Sequence, residues 1–188
     1  MKDKIKIEVS GRHVHLSQRD IDKLFGVGYE LTKVRDLSQP GTYAAKENVI
    51  LVGKRAIEQV RVLGPPRDDS QVEISKTDSF DLGLKAPVRL SGDIKNTPGV
   101  KLKGPKGSVD LKKGVIIAER HLHLSEKQAK DLSVKDDDNV SVKVDGERGV
   151  TFHNIIARVG DYDSALHIDT DEGNAAGVEG EVFGELVR

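Results

Sequence analysis

The stretch Arg12-His13-Val14-His15-Leu16-Ser17 returns later in the chain as Arg120-His121-Leu122-His123-Leu124-Ser125. A run rich in β-branched residues precedes each copy, and each closing serine is followed by the spacing of a helix N-cap. Each copy is therefore expected to form a strand, a His-x-His pair and a short capped helix. Self-similarity of this kind favours two related domains that arose by internal duplication.

Short strands separated by turns are predicted for most of the remaining chain. Runs that alternate or are rich in β-branched residues predict strands at residues 48–52, 60–63, 71–74, 88–90, 115–118, 140–144 and 155–159. Helical periodicity is found mainly at residues 18–25 and 126–133, with a little more after Asp171. Short, closely spaced strands are typical of barrels and sandwiches, so the sequence predicts a mainly β fold. We expect two β-barrel domains related by internal duplication, each with short capping helices.

The composition excludes several classes of protein. The 188 residues include 30 Lys and Arg against 31 Asp and Glu, a net charge of -1, whereas a dedicated nucleic-acid-binding protein normally carries a basic excess. No apolar run approaches the roughly 18 residues of a transmembrane helix, and the N-terminal residues lack the apolar core of a secretory signal. We therefore expect no nucleic-acid partner and no membrane partner.

Four of the six histidines form two His-x-His pairs, His13 with His15 and His121 with His123. On a strand, side chains two residues apart point to the same face, so each pair can share one metal ion. The alternatives are histidines satisfied by hydrogen bonds, or a pair of strands that forms a domain interface without metal. Occurrence of the pair twice in the same context favours the metal.

Further ligands must come from His, Asp or Glu, because the chain contains no cysteine. Such ligand sets are more typical of catalytic zinc than of closed structural sites. His167 lies on an alternating stretch and can complete a three-ligand set, and Glu73, between two apolar residues, is a plausible carboxylate ligand. His153 has no comparable partner and is interpreted as a surface or hydrogen-bonded histidine.

Arg67 is a candidate oxyanion-binding residue. It follows the tight turn Gly64-Pro65-Pro66, and its fork-shaped guanidinium suits bidentate recognition of an oxyanion. Lys54, Arg55 and Arg61 add positive charge nearby in the sequence. The alternative for each of these cations is ordinary solvated surface.

Together these motifs resemble the PduL-type phosphate propanoyltransferases, a family of phosphotransacylases. The matching stretches lie at residues 10–17, 33–41, 60–65, 67, 71–75, 86–89, 91–93, 114–116, 120–123 and 167–172. The resemblance covers nearly the whole chain, from Ile5 to Ala176. It implies two β-barrel domains in which the N-terminal strand packs into the second barrel. Residues 12–119 would then form the first domain, and residues 1–11 with 120–188 the second.

The resemblance also implies a site with two metal ions per chain, usually zinc, at the domain junction. His13, His15 and Glu73 would hold one ion, and His121, His123 and His167 the other. Arg67 would bind phosphate and act as the catalytic residue. By position, the implied coenzyme A contacts are Ser10, Lys54, Arg61 and Asn174.

The implied reaction interconverts a short-chain acyl-CoA (propanoyl-CoA or acetyl-CoA) and phosphate with acyl phosphate and CoA. The resemblance suggests a homodimer, and only a short segment precedes the first motif, so we expect a cytoplasmic enzyme without a microcompartment-targeting extension. Two departures concern loops: Gly173 stands where the family pattern has alanine, and Pro66 follows Pro65. The alternative functions are a metal-dependent acyl-CoA thioesterase or other hydrolase, and a non-enzymatic module that binds CoA or metal.

Overall fold

The computed structural model describes residues 4–187, which divide into two compact units. The first unit is Arg12–Ala118, and the second combines the described residues up to Gly11 with the chain from Glu119 onward. In chain order the elements are β1 (Lys4–Ser10), β2 (His13–His15), α1 (Gln18–Phe25), β3 (Lys33–Asp36), β4 (Tyr43–Val52), β5 (Ala56–Gly64), β6 (Gln71–Glu73), α2 (Lys76–Leu82), β7 (Val88–Arg89), β8 (Lys101–Lys103), β9 (Ser108–Asp110), β10 (Val115–Ala118), β11 (His121–Ser125), α3 (Glu126–Leu132), β12 (Asn139–Val144), β13 (Val150–Gly160), β14 (Ala165–Asp169), α4 (Thr170–Ala176) and β15 (Val182–Val187).

The second unit is a closed barrel with the strand order β1-β14-β11-β13-β12-β15. The ring closes at β1, which pairs parallel with β14 and antiparallel with β15. Alternation along the strands turns apolar side chains inward, and the core includes Ile5, Ile7, Leu122, Leu124 and Leu166. The side chains that alternate with them, such as His121 and His123 on β11, point to the opposite face of the strand.

The first unit is a curled sheet of nine strands in the order β7-β10-β6-β2-β5-β4-β8-β9, with β3 beside β4. Its core includes Val14, Leu16, Leu51, Val72 and Leu102. The mainly β, barrel-like architecture predicted from the short strands is confirmed. No helix in residues 4–187 combines the length and the apolar character that a membrane crossing requires.

Strand pairing displays the internal duplication. The His-x-His strand β2 pairs parallel with β5 and antiparallel with β6, and its counterpart β11 pairs parallel with β13 and antiparallel with β14. The strands that precede the two His-x-His motifs are exchanged between the units. β1 leads into β2 but pairs with β14 of the second unit, whereas β10 leads into β11 but pairs with β6 of the first.

The helices begin at capping residues. Ser17 and Ser125 accept backbone N–H bonds from Asp20 and Gln128, as their spacing predicted. Two further helices, α2 and α4, begin with complete capping boxes and follow β6 and β14 respectively. Helix α2 was not predicted from the sequence.

Candidate functional site

Three buried side chains, His13, His15 and Glu73, converge in the first unit; we call them the Glu set. Strand β2 carries both histidines on one face, and its antiparallel pairing with β6 places Glu73 opposite His13. Nε2 of His13 lies 3.5 Å from Oε2 of Glu73, and Nε2 of His15 lies 3.7 Å from Oε1. The donor atoms of the three residues lie within 4.8 Å of one another, as ligands of one ion must.

The protonation states of His15 and Glu73 favour binding of a cation. Burial, reinforced by His13, lowers the pKa of His15 to about 3, so His15 is a neutral imidazole at neutral pH. Burial alone would raise the pKa of Glu73, but His13, His15 and a hydrogen bond from Ser91 outweigh it and hold the pKa below its ordinary range. Neutral imidazole and ionised carboxylate are the protonation states that metal binding requires.

Two side chains that sequence reasoning did not assign hold the Glu73 carboxylate. Gln71 Nε2 and Ser91 Oγ both donate to Oε1 of Glu73, over 2.6 Å and 2.8 Å. Gln71 is fixed in turn, since its Oε1 accepts from the backbone N–H of Gly92 over 2.8 Å. The available signal for Gln71 was its place two residues before Glu73 on the same strand face. Ser91 lies in the matching stretch 91–93, but no local pattern links it to Glu73, because the fold alone brings it to β6.

A second trio, His121, His123 and His167, converges in the second unit; we call it the His set. Strands β11 and β14 pair antiparallel with His121 opposite His167, which repeats the register of His13 and Glu73. The imidazole centroids lie 4.8 to 4.9 Å apart, and the donor atoms again lie within 4.8 Å of one another. The two trios thus occupy equivalent positions in the duplicated units.

Two of the imidazoles in the His set each have a ring nitrogen available to a metal ion. Nδ1 of His121 lies 2.8 Å from the Glu119 carbonyl and donates to it, which leaves Nε2 as the acceptor nitrogen. Burial, followed by the neighbouring His167 and His121, lowers the pKa of His123 to about 3. Within the described residues, Nδ1 of His123 is buried without a hydrogen-bond partner. A buried nitrogen left in this state fits coordination of a metal ion, since buried polar atoms are otherwise paired.

Arg67 lies beside the Glu set. Its backbone N–H donates to the Leu16 carbonyl over 2.9 Å, which fastens it next to the end of β2. Its Nη1 donates to Ser91 Oγ over 3.3 Å, and Ser91 also donates to Glu73. Burial lowers the pKa of Arg67 while Glu73 opposes that shift, and the guanidinium stays charged at neutral pH. A half-buried cation next to a candidate metal set can bind an oxyanion.

The predicted coenzyme A residues fall in both units. In the second unit, Ser10 ends β1 opposite Asp169, and Asn174 is exposed on α4. In the first unit, Arg61 lies opposite His13 on β5, whereas Lys54 is exposed in the turn before that strand.

The two departures from the family pattern leave the candidate ligands in place, and Gly173 lies on α4 and not in a loop. A Cβ at Gly173 would lie 2.7 Å from Cγ2 of Val9, so glycine permits the close approach of β1. Pro66 is exposed, and the backbone bond of Arg67 to Leu16 is made beside it. His153, outside both sets, is exposed and lies within hydrogen-bond distance of Ser141.

Each His-x-His pair is preceded by an arginine that makes the same ion pair in both units. Arg12 Nε lies 3.3 Å from Oδ2 of Asp78, and Arg120 Nε bonds Oε1 of Glu172. Asp78 and Glu172 are the N3 residues of the capping boxes of α2 and α4. Each ion pair therefore connects the start of a His-x-His strand to the helix that follows the third residue of the set, Glu73 or His167. The repeated arginine was visible in the sequence, but its partner was not.

We expect Ser91→Ala to weaken metal binding at the Glu set about tenfold, since loss of a partner that orients a ligand typically costs 10- to 100-fold in affinity. Ser91 Oγ donates to Glu73 and accepts from Arg67, so its removal loosens both. Titration of the metal-free variant with zinc measures the loss. Ser108→Ala is the control, because Ser108 is exposed in β9. Wild-type affinity in Ser91→Ala would show that Gln71 alone suffices to hold Glu73.

Comparisons with known proteins agree on one family. A family model described as phosphate propanoyltransferase matches residues 6–179. Among relatives named phosphate propanoyltransferase, one from Clostridioides difficile is 48% identical over 98% of this chain and 89% of its own length. One from Thermotoga maritima is 55% identical over 92% of this chain and 83% of its own length. One from Salmonella typhimurium is 47% identical over 97% of this chain and 89% of its own length.

Proposed function

The chain belongs to the phosphate propanoyltransferase family and is an acyltransferase, and we propose that it moves a short acyl group between coenzyme A and inorganic phosphate with two bound zinc ions. The observation that carries the proposal is the juxtaposition of Arg67 with the Glu set through the shared partner Ser91. This arrangement supports an oxyanion substrate held beside a metal ligand set.

The two sets fit zinc in number and type of donor. His13, His15 and Glu73 would hold one ion, and His121, His123 and His167 the other; three protein ligands leave a position open, as in catalytic zinc sites. When bound, zinc supplies Lewis acidity toward a carbonyl or phosphoryl oxygen and affinity for a thiolate. Lowered pKa values keep His15 and His123 neutral and Glu73 ionised, and Gln71 and Ser91 keep Glu73 oriented.

Arg67 has the task of bringing two anionic substrates together. Its guanidinium can bind phosphate bidentately and offset the charge that would otherwise repel acyl-CoA. A phosphate oxygen then attacks the thioester carbonyl carbon, the new C–O bond replaces the C–S bond, and CoA leaves as the thiolate. Fixing phosphate beside the thioester converts an encounter into an oriented reaction. No covalent enzyme intermediate is needed, which suits a chain without cysteine.

The coenzyme A contacts, the subunit arrangement and the location extend this proposal. We propose that Ser10, Lys54, Arg61 and Asn174 contact coenzyme A. Among them Arg61 has the strongest support, since it lies opposite His13 on the neighbouring strand. The resemblance further suggests a homodimer in the cytoplasm. Light scattering of the purified protein and fractionation of cells test these two predictions.

The decisive test is release of CoA thiol from propanoyl-CoA and acetyl-CoA, with and without inorganic phosphate, before and after chelator treatment. We expect release that requires phosphate, falls on chelation and returns with zinc. Release that is independent of phosphate would instead identify a thioesterase built on the same ligands, with water in place of phosphate. Binding of CoA and zinc without turnover of either thioester would identify a binding module.

A further inference from the structure

We propose that Glu8 is a positioning residue for the His set, in which it holds Nδ1 of His167 and so directs Nε2 of that imidazole to a bound cation. The proposal rests on the metal site proposed above. Sequence patterns did not single out Glu8, which lies on β1, far along the chain from His167.

Glu8 lies next to His167 on the neighbouring strand, on the side away from His121. Strand β14 lies between β1 and β11, with His167 opposite Glu8 on one side and opposite His121 on the other. Oε2 of Glu8 lies 3.8 Å from Nδ1 of His167, within ion-pair range. The side chains are 25% and 10% exposed respectively, so the pair is largely shielded from water. A metal-binding imidazole commonly gives its other N–H to a carboxylate, which fixes the tautomer and makes the ring a stronger ligand.

The first unit supplies an internal comparison. Glu73 and His167 are equivalent, since each faces the first histidine of a pair and lies two residues before the N-cap of a helix. On the other side of Glu73, the parallel strand β10 presents Ile116, a fully buried apolar residue. Glu8 takes the corresponding place beside His167. A carboxylate therefore lies on the neighbouring strand beside His167, whereas an apolar side chain lies in the equivalent place beside Glu73.

The side chains next to Glu73 and His167 differ in hydrogen-bonding character, as the two residue types require. Glu73 is an acceptor, and the donors Gln71 and Ser91 hold it. For His167 the proposed partner is an acceptor: Oε2 of Glu8 lies 3.8 Å from Nδ1, the nitrogen that would carry the proton. The two sets also compare in their carboxylates: the Glu set contains one, Glu73, and Glu8 provides one next to the His set, whose own three side chains are all imidazoles.

Lys6 does not compete for the same oxygen. Its Nζ donates to Oε1 of Glu8 over 3.0 Å, whereas Oε2 faces His167. Lys6 is about half exposed, and ion pairs of this kind contribute little to stability. Lys6 therefore offers a matched control: its replacement removes an ion pair of Glu8 without touching the His167 side.

The test compares wild type with Glu8→Gln, Glu8→Leu and Lys6→Gln, each stripped of metal and titrated with zinc. We expect wild type and Lys6→Gln to bind two ions per chain. We expect Glu8→Leu to lose 10- to 100-fold in affinity at one site only, and Glu8→Gln, which keeps an acceptor but loses the charge, to fall between them. Wild-type affinity at both sites in a folded Glu8→Leu variant would overturn the proposal; if that variant does not fold, Glu8→Gln decides in the same way.

A second readout does not depend on metal or turnover. Long-range ¹H–¹⁵N spectra of the metal-free protein report which nitrogen of His167 carries the proton. We expect the Nδ1–H tautomer in wild type and Lys6→Gln, and a shift toward Nε2–H in Glu8→Leu. An unchanged tautomer in Glu8→Leu would overturn the role of Glu8. If wild type bound no zinc, the metal site itself would fail, and this spectrum would still decide whether Glu8 orients His167.

Discussion

We expect His13→Ala to lose one of two zinc ions per chain and to lose turnover by about a thousandfold or more. Removal of His13 leaves His15 and Glu73 as ligands at the Glu set, and two ligands do not hold zinc in a protein site of this kind. A metal ion contributes several kcal/mol to stabilisation of the transition state, and each 1.36 kcal/mol corresponds to about a tenfold change in rate. Metal content measured by mass spectrometry and phosphate-dependent CoA release measured on the same sample check the result.

His153→Ala is the matched control for this experiment. His153 is exposed, is hydrogen-bonded to Ser141 and belongs to neither set. The control is expected to retain both ions and wild-type turnover. Full turnover by a His13→Ala protein with one ion would refute a catalytic role for the Glu set. Loss of both ions together would instead show that the two sets do not bind metal independently.

The core of each set was predictable because it follows from local geometry. The period of two along a strand puts His13 beside His15 and His121 beside His123 without any knowledge of the fold. The repeated hexapeptide likewise predicted the duplication, and the serine spacing predicted α1 and α3. These are properties of neighbouring residues, and a sequence displays them directly.

The supporting residues could not be predicted in the same way. Ser91 reaches Glu73 only because the loop after β7 returns to β6, and Glu8 meets His167 only through the parallel register of β1 and β14. The local pattern predicts a strand before each His-x-His pair, but it does not determine which sheet accepts that strand. Because β1 and β10 are exchanged, the residue beside Glu73 or His167 comes from a distant part of the chain.

The exchange of β1 and β10 between the units gives the two sets different neighbouring side chains. Each unit repeats the same scaffold of paired strands, capping box and arginine ion pair, yet the third residue of the set and its neighbour differ together. The neighbour of Glu73 on the adjacent strand is Ile116, and the neighbour of His167 is Glu8. One scaffold thus presents two different third residues, each beside a neighbour from the exchanged strand that differs with it.

We expect Arg67→Ala to raise the KM for phosphate and to lower turnover by about 10²- to 10³-fold while both metal ions remain bound. Removal of one preorganised electrostatic partner of a transition state typically costs this much. Arg67 touches the Glu set only through Ser91 and through its charge, so its loss leaves the three ligands in place. Arg67→Lys is expected to recover part of the loss, because lysine restores the charge but not the bidentate fork. Initial rates over a range of phosphate concentrations, with metal content measured alongside, check the result.

Arg55→Ala is the control for Arg67→Ala. Arg55 belongs to the same unit, but it is exposed and paired with Asp81 over 3.1 Å. Its replacement is expected to change neither the KM for phosphate nor the metal content. A drop in turnover with an unchanged KM for phosphate would assign Arg67 to the transition state alone, since uniform loss of phosphate binding raises KM without lowering turnover. Loss of metal in Arg67→Ala would contradict the separation of roles, because the guanidinium would then be supporting the ligands instead of binding the substrate.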